Sequence, residues 1–343
     1  MDGSREPPSR TLVTHQEDRP SRPRAEGLIY HAGGLGDFVL SLPAMQRVRQ
    51  AFPGLLWRFW GPADRLRLLP GCLPPLPGLV KEGHTLWGGA PSAGALSALA
   101  RAEVVLAFGG RTPPAWIRHA RGRILGIASF PPAGGGRVTA YQKAQLDRLG
   151  IPRVAERWLP RWRREALPYR EPRRIVLHPG SGSPLKNLPP QTWIRVLEVL
   201  RRETGLGAEL VAGPAEAERG GLGPLREAAE GFTPCAGLGD FLRVLARAAL
   251  YLGNDAGPTH LAALLGVPVV AVFGPTDPGL WGPRGPWVVV VRTGAECAPC
   301  TPGGPVPCAQ PECLADLDPD AVSRAALALW EKVKGNGHRA DRV

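Results

Sequence analysis

Gly253-Asn254-Asp255-Ala256-Gly257-Pro258-Thr259-His260 brings a carboxylate, a hydroxyl and an imidazole to the start of a small-residue helix. An apolar run over 267–273 and then Gly274-Pro275-Thr276-Asp277-Pro278 follow it. The order reads as strand, turn into helix, second buried strand and polar loop. Such a helix begins at the carboxyl edge of a parallel sheet, where free N–H groups and the positive end of the helix dipole hold a phosphate. A nucleoside diphosphate fits there. Asp255 could simply cap the helix and His260 could pack against the sheet, but Gly257, Thr259 and His260 share one helical turn, which favours ligand contact.

His178-Pro179-Gly180-Ser181-Gly182-Ser183-Pro184-Leu185-Lys186-Asn187 follows another apolar strand. The hydroxyls of Ser181 and Ser183 suit phosphate oxygens, and Lys186 is a mobile point charge for negative charge developing on a leaving group. An ordinary surface loop is the plainer reading. Lys186 stands out because the chain has only five Lys beside thirty-seven Arg. Gly33-Gly34-Leu35-Gly36-Asp37 also joins a strand to a helix, but Val39 replaces the third glycine of a dinucleotide fingerprint, so a dehydrogenase is disfavoured. Asp37 is then either a helix cap or a carboxylate facing a cleft between two lobes. A helix N-terminus lowers a carboxyl pKa, so Asp37 is a useful base only where desolvation or nearby anions oppose that effect.

Cys297, Cys300, Cys308 and Cys313 form a C-x2-C-x7-C-x4-C cluster in a Pro- and Gly-rich loop. Four thiolates at such spacing suit a structural zinc, although the spacing is tighter than in common zinc ribbons; reduced thiols or a disulfide are the alternatives.

The elements that position these groups alternate. A strand at 28–32 leads into a helix near 37–51 with Pro43 in its first turns. Further strands are expected at 55–60, 104–108 and 123–128, with helices near 92–102, 113–121 and 140–149. Residues 152–174, rich in Pro and Arg and without sustained periodicity, are expected to be a linker. A second series then runs strand 175–177, helix 190–204, strand 208–212, helices near 215–229 and 239–249, strands near 250–253 and 268–273, and a last helix at 319–333. Alternation of this kind specifies an α/β protein with parallel sheets, and 343 residues suit two Rossmann-like lobes, over 27–151 and 175–333. Disordered tails are expected at 1–26 and 334–343.

The net charge of +12 is concentrated: residues 101–174 hold sixteen Arg and Lys against five Asp and Glu. That patch suits a phosphate-bearing partner, although arginines on solvated faces would give the same count. No nucleic-acid-binding motif accompanies it, and nucleic acid is not an expected partner. The N-terminal residues lack the apolar stretch of a secretory signal, and no run of about 18 apolar residues occurs, so a cytoplasmic location is expected.

Taken together, GGLGDFVLSLPAMQRVRQAFP, HPGSGSPLKNLPPQTW, GNDAGPTHLAALLGVPVVAVFGPTDPGLWGP and the cysteine loop resemble glycosyltransferase family 9, the ADP-heptose:lipopolysaccharide heptosyltransferases, over about residues 27–333. The resemblance implies a GT-B fold, with an acceptor-binding first lobe, a nucleotide-sugar-binding second lobe and the site in the cleft between them. It implies an inverting transfer of heptose from ADP-heptose to a lipid-anchored, phosphorylated lipopolysaccharide core at the cytoplasmic face of the inner membrane, with no catalytic metal. Asp37 matches the base, Gly34 and Gly36 the acceptor-side loop, and Lys186 the phosphate-side lysine. Ser181, Ser183, Asp255, Gly257, Thr259 and His260 match the donor site, and Glu216 the acidic ribose contact. Ala256 stands where Ser or Thr is frequent, and Leu188 where an aromatic is usual. A family member using another nucleotide sugar for a different glycan, or a sugar-nucleotide binder without catalysis, are the competing expectations.

Overall fold

The structure, a computed structural model, describes residues 25–74, 92–110, 115–132, 134–156, 158–166, 171–301 and 306–340. In chain order the first lobe contains β1 (Glu26–Tyr30), α1 (Leu35–Ala51), β2 (Leu56–Trp60), α2 (Ala93–Arg101), β3 (Ala102–Gly109), β4 (Arg123–Ala128) and α3 (Val138–Arg148). After α4 (Trp158–Ala166), the second lobe begins with β5 (Arg174–His178), α5 (Pro190–Thr204), β6 (Gly207–Ala212), α6 (Pro214–Arg219), α7 (Gly223–Ala228), β7 (Gly231–Pro234) and α8 (Leu238–Arg247). It continues with β8 (Ala248–Asn254), α9 (Gly257–Leu264), β9 (Val269–Phe273), α10 (Pro278–Trp281), β10 (Val288–Arg292), α11 (Glu312–Ala315) and α12 (Pro319–Ala340).

Both sheets are wholly parallel. The first runs β2-β1-β3-β4 and the second β7-β6-β5-β8-β9-β10. Numbered within its own lobe, the second sheet has the 3-2-1-4-5-6 order of a doubly wound fold, whose direction of winding reverses between β5 and β8. Chain leaving the carboxyl ends of those two strands diverges to opposite faces and leaves a crevice. The loops 178–187 and 254–257 therefore flank one crevice because of strand order. In the first sheet the reversal lies between β1 and β3, which puts the loop after β1 at the corresponding place.

Helix α1 is buried on most sides, from Phe38 to Val48, because it is enclosed by its own sheet, α3 and α9 of the other lobe. Phe38, Val39 and Leu42 share one apolar cluster with Leu261, Leu264 and Leu265. The lobes thus meet through the two helices whose first turns carry Asp37 and Gly257.

Four expectations from sequence are corrected. The linker over 152–174 contains α4, held down by buried Trp162, whose indole Nε1 donates to the Leu68 carbonyl at 2.8 Å. Prolines and arginines on its other positions hid that apolar anchor. The helix expected over 215–229 is divided at Gly220 and Gly221, with φ of 71° and 78°, a conformation open to glycine. The segment 113–121 contributes only a 3-10 turn at Ala115–His119, and residues 113 and 114 lie outside the described ones. Helix α12 runs on to Ala340, through much of the expected tail 334–343, since extending a formed helix is far easier than starting one. The tail expected over 1–26 lies outside the described residues except at its end, where Glu26 already begins β1.

At the end of β1, His31 is buried edge-on to Phe38 and beside Phe108, with ring centroids 5.3 and 5.4 Å away. Burial, aided by the nearby Arg65 charge, lowers its pKa to about 3. The folded protein therefore holds His31 neutral, whereas the unfolded chain takes up a proton below about pH 6.5, so stability falls as pH drops through 6.5 toward 3. This one group is expected to make the protein about 1.4 kcal/mol less stable at pH 5.5 than at pH 7.5. Urea unfolding of the unaltered protein and His31→Leu at both pH values checks it; an equal pH difference in the two would refute it.

Candidate active site

Asp37 sits at the third position of α1, not at the cap: Gly34 is the cap residue, and its N–H donates to Asp37 Oδ2 at 3.2 Å. The β1 strand and this reciprocal turn fix the carboxylate at the lobe boundary. Burial raises its pKa, and that outweighs the Gly34 N–H and the electrostatic effects of His260 and Lys186, which pull the other way. Desolvation thus decides the question left open by the helix dipole, and Asp37 is a better base than an exposed carboxylate.

Two glycines make the lobe contact possible. A Cβ on Gly257 would stand 2.7 Å from Leu35 Cβ and 2.8 Å from the Gly36 nitrogen, and one on Gly36 would stand 3.4 Å from Gly257 Cα. Only bare backbone lets the first turns of α1 and α9 approach so closely. Gly257→Ala is accordingly expected to cost about 1–3 kcal/mol of stability through overpacking and to lower turnover by separating the groups on the two helices. Thermal unfolding and transfer assays on this variant test it; an unchanged melting point with full turnover would contradict the packing account.

Across the boundary, Lys186 is tied to Asp255 through a bond of 3.0 Å to Oδ2 and one of 3.2 Å to the main-chain carbonyl. Thr276 Oγ1 donates to the same Oδ2 at 2.8 Å, and His260 Nε2 lies 3.6 Å from Oδ1. Burial pushes the Asp255 carboxyl up, but His260 and Lys186 overcome it and hold it at about 2. Asp255 is therefore an ionised anchor that orients Lys186 and His260. Lys186 is held in place, where a mobile point charge was expected from sequence.

Asp37, Gly34, Gly36, Ser183, Lys186, Asp255, Gly257 and His260 all line one cavity of about 570 Å³. Phe130 and Trp281 form part of its wall, one ring from each lobe, with centroids 5.1 Å apart. A second cavity of about 330 Å³ is lined by His178, Ser181, Gly182, Glu216 and Phe241, among others. Leu35, Gly182 and Ala256–Pro258 line both. The two spaces adjoin over the first turn of α9, so a molecule seated in the smaller one can extend past these amides to Asp37.

Not every expected residue faces these cavities with a free group. The Ser181 hydroxyl lies 2.6 Å from both the Ser183 carbonyl and Asn187 Oδ1, so it shapes the loop. Thr259 is buried, donates to the Asn254 carbonyl at 2.6 Å and lines neither cavity. Glu216 does line the smaller cavity, beside His178 at 3.8 Å, with Oε2 accepting from the Gly213 N–H at 2.9 Å. Gly180 gives it room, since a side chain there would occupy the carboxylate's place.

Sequence reasoning missed Asn254, which is wholly buried. Its Nδ2 donates to the Pro179 carbonyl at 2.6 Å, and its Oδ1 accepts from the Leu188 N–H at 3.1 Å. It stitches the 178–188 loop to the end of β8, and buried Leu188 packs where the usual aromatic is absent. The signal was its place before Asp255. Phe130 and Arg65, which carry no local motif, were missed as well, and so was Trp281, although it lies in the GPTDPGLWGP stretch.

Among the cysteines, Cys297 is exposed, Cys300 and Cys308 are half-buried, and Cys313 is buried. No three His, Cys, Asp or Glu side chains among the described residues are grouped so as to hold a metal ion. Burial first, and the neighbouring cysteines next, push the Cys313 thiol up to about 11.

Residues 154–304 match the model of glycosyltransferase family 9 (heptosyltransferase). Lipopolysaccharide heptosyltransferase 1 of Pseudomonas aeruginosa is 36% identical over 131 residues, which are 38% of this chain and 36% of that protein. The protein of the same name from Escherichia coli K12 is 36% identical over 117 residues, 32% of this chain and 35% of its own length. The matched stretch thus spans about a third of these relatives. The structure of E. coli heptosyltransferase WaaC with ADP is similar with a TM-score of 0.64 and 23% identity, covering 89% of this chain and 99% of that one. That of E. coli ADP-heptose lps heptosyltransferase II has a TM-score of 0.63 and 17% identity, covering 90% and 99%. The two-lobed fold is GT-B. Three motifs meet in one cleft of that fold, and residues 154–304, most of the second lobe, are similar to glycosyltransferase family 9.

Proposed function

We propose that this protein is an inverting heptosyltransferase that moves a heptose from ADP-heptose to the core of a lipid-anchored lipopolysaccharide acceptor. The observation that carries the reading is the pair of adjoining cavities, with a desolvated carboxylate on the first lobe facing an anchored lysine on the second. A protein that only bound a sugar nucleotide would have no use for Asp37 at the second cavity.

In the proposed reaction ADP occupies the 330 Å³ cavity, its ribose near Glu216 and its diphosphate at Ser181–Gly182 and the amides of Gly257, with Ser183 and Lys186 beside it. The heptose projects into the 570 Å³ cavity. An acceptor hydroxyl gives its proton to Asp37 as its oxygen attacks the anomeric carbon from the face opposite the leaving group. The bond to the diphosphate oxygen breaks with its electron pair going to ADP, whose charge Lys186 stabilises. His260 holds the Asp255 carboxylate in place, and its Nδ1 has no partner among the described residues. No step is assigned to a metal.

The phosphorylated acceptor reading draws on the basic segment. Arg137 and Arg163 from it join Arg284 around a cavity of about 520 Å³ at the lobe seam, where Glu156 is the one acid in the lining and already pairs with Arg284 and Lys143. Anionic groups of the acceptor would seat there. No helix among the described residues is long and apolar enough to cross a membrane, and we assign the protein a peripheral position at the cytoplasmic face of the inner membrane.

Incubation with ADP-, UDP- and GDP-sugars, with and without truncated lipopolysaccharide, tests the reading. Transfer from ADP-heptose with inversion at the anomeric carbon is expected. Preference for UDP, or no nucleotide binding, would overturn it.

A further inference from the structure

The smaller cavity is built almost entirely by the second lobe, but the first lobe contributes Leu35, Asp64 and Arg65 to its lining. Arg65 lies on the 3-10 turn Ala63–Leu68 that follows β2. Its side chain is only 14% exposed. One edge of the guanidinium is satisfied by Asp64, with Nη1 2.6 Å from Oδ2. The Nε on the remaining edge is buried and has no partner among the described residues.

A buried cation with an unpaired N–H is costly unless an anion completes it. Among the described residues nothing on its own lobe does so. His31, close enough for the Arg65 charge to depress its pKa, is held neutral by burial, and Asp64 is 40% exposed and already used on the other edge. The other polar features of the cavity include the His178 imidazole, the loop at Ser181–Gly182, the start of α9 at Gly257 and the Glu216 carboxylate, all from the second lobe. The 3-10 turn itself rests against that lobe: the Arg67 guanidinium carbon lies 3.2 Å from where a Cβ on Gly239 would be, at the start of α8. Arg65 is thus a half-satisfied cation at the lobe contact, aimed into a space otherwise shaped for a nucleotide.

We propose that Arg65 binds the diphosphate of the nucleoside-diphosphate donor, completing from the first lobe a site whose other walls belong to the second, so that donor binding draws the lobes together before the acceptor is attacked. The inference rests on the donor reading given above. Guanidinium is the suitable group because its planar fork can keep Asp64 on one edge and take a phosphate oxygen on the other, which an ammonium cannot reproduce.

Calorimetry with ADP and adenosine on the unaltered protein, Arg65→Met and Arg65→Lys tests this, with melting points measured alongside. ADP affinity is expected to fall on the order of tenfold or more in Arg65→Met, with a smaller loss in Arg65→Lys and adenosine affinity unchanged in both. X-ray scattering should show the unaltered protein becoming more compact with ADP, and Arg65→Met not doing so. ADP affinity within about twofold of normal in folded Arg65→Met, or an equal loss for adenosine, would overturn the proposal. If Arg65→Met does not fold, Arg65→Lys decides: undiminished ADP affinity and normal compaction would overturn it. Failure of the unaltered protein to bind ADP would instead overturn the donor reading on which it stands.

Discussion

Asp37→Asn is expected to reduce transfer by about two to four orders of magnitude, the loss usual for a general base. ADP affinity and melting point should change little. The separation follows from the geometry. Asn presents an oxygen of the same reach to the Gly34 N–H, so the turn into α1 keeps its hydrogen bond. The nucleotide cavity does not include Asp37 in its lining, so donor binding keeps its contacts. What the amide cannot do is accept the acceptor's proton. Because burial holds the Asp37 pKa above the ordinary carboxyl value, turnover of the unaltered protein should decline as pH falls through that raised pKa, at higher pH than for an exposed aspartate. Near-normal transfer by Asp37→Asn would leave this residue only its role in the helix turn.

Lys186→Met should lower turnover by about two to three orders of magnitude, the effect of removing one charge-stabilising group from a developing anion. Unlike Asp37→Asn, it should also destabilise the protein, since Asp255 would keep a buried carboxylate while losing its 3.0 Å partner. The sign of the pH effect follows from the depressed Asp255 pKa. Its stabilising contribution is present above the ordinary carboxyl pKa near 4 and is lost as pH falls toward about 2; without Lys186 that contribution shrinks. The double variant Lys186→Met with Asp255→Asn separates the two functions of the lysine. Neutralising Asp255 relieves the unpaired charge, so the melting point should recover while turnover stays low. Recovery of both would mean that Lys186 serves Asp255 alone.

Much of this arrangement could be read from local pattern. Strand β9 and helix α5 lie where apolar runs and periodicity put them, because a strand buried on both faces leaves a continuous apolar run and an amphipathic helix leaves a period in the chain. Short edge elements were harder to see. β7 carries partly exposed residues and borrows its hydrogen bonds from β6, so nothing local announces it, whereas β10 does carry a local strand signal in its four valines. The anchor of α4 is one tryptophan whose partner, the Leu68 carbonyl, lies 94 positions away.

The sequence by itself determined the two parallel-sheet lobes, the turns that expose helix starts, and the identity of Asp37, Lys186, Asp255 and Gly257 as groups at sheet edges. Residue type and short-range spacing suffice for these, since they depend on backbone preference and burial periodicity. Only the tertiary structure decided what each group does to the others. It placed Gly36 against Gly257, clamped Lys186 to Asp255, committed Thr259 to the backbone and aimed Arg65 into the opposite lobe's cavity. It also resolved the basicity of Asp37, where the helix start lowers the pKa and desolvation raises it. Such outcomes depend on distance and burial between residues far apart in the chain, and electrostatic interactions change with dielectric surroundings that no local pattern encodes.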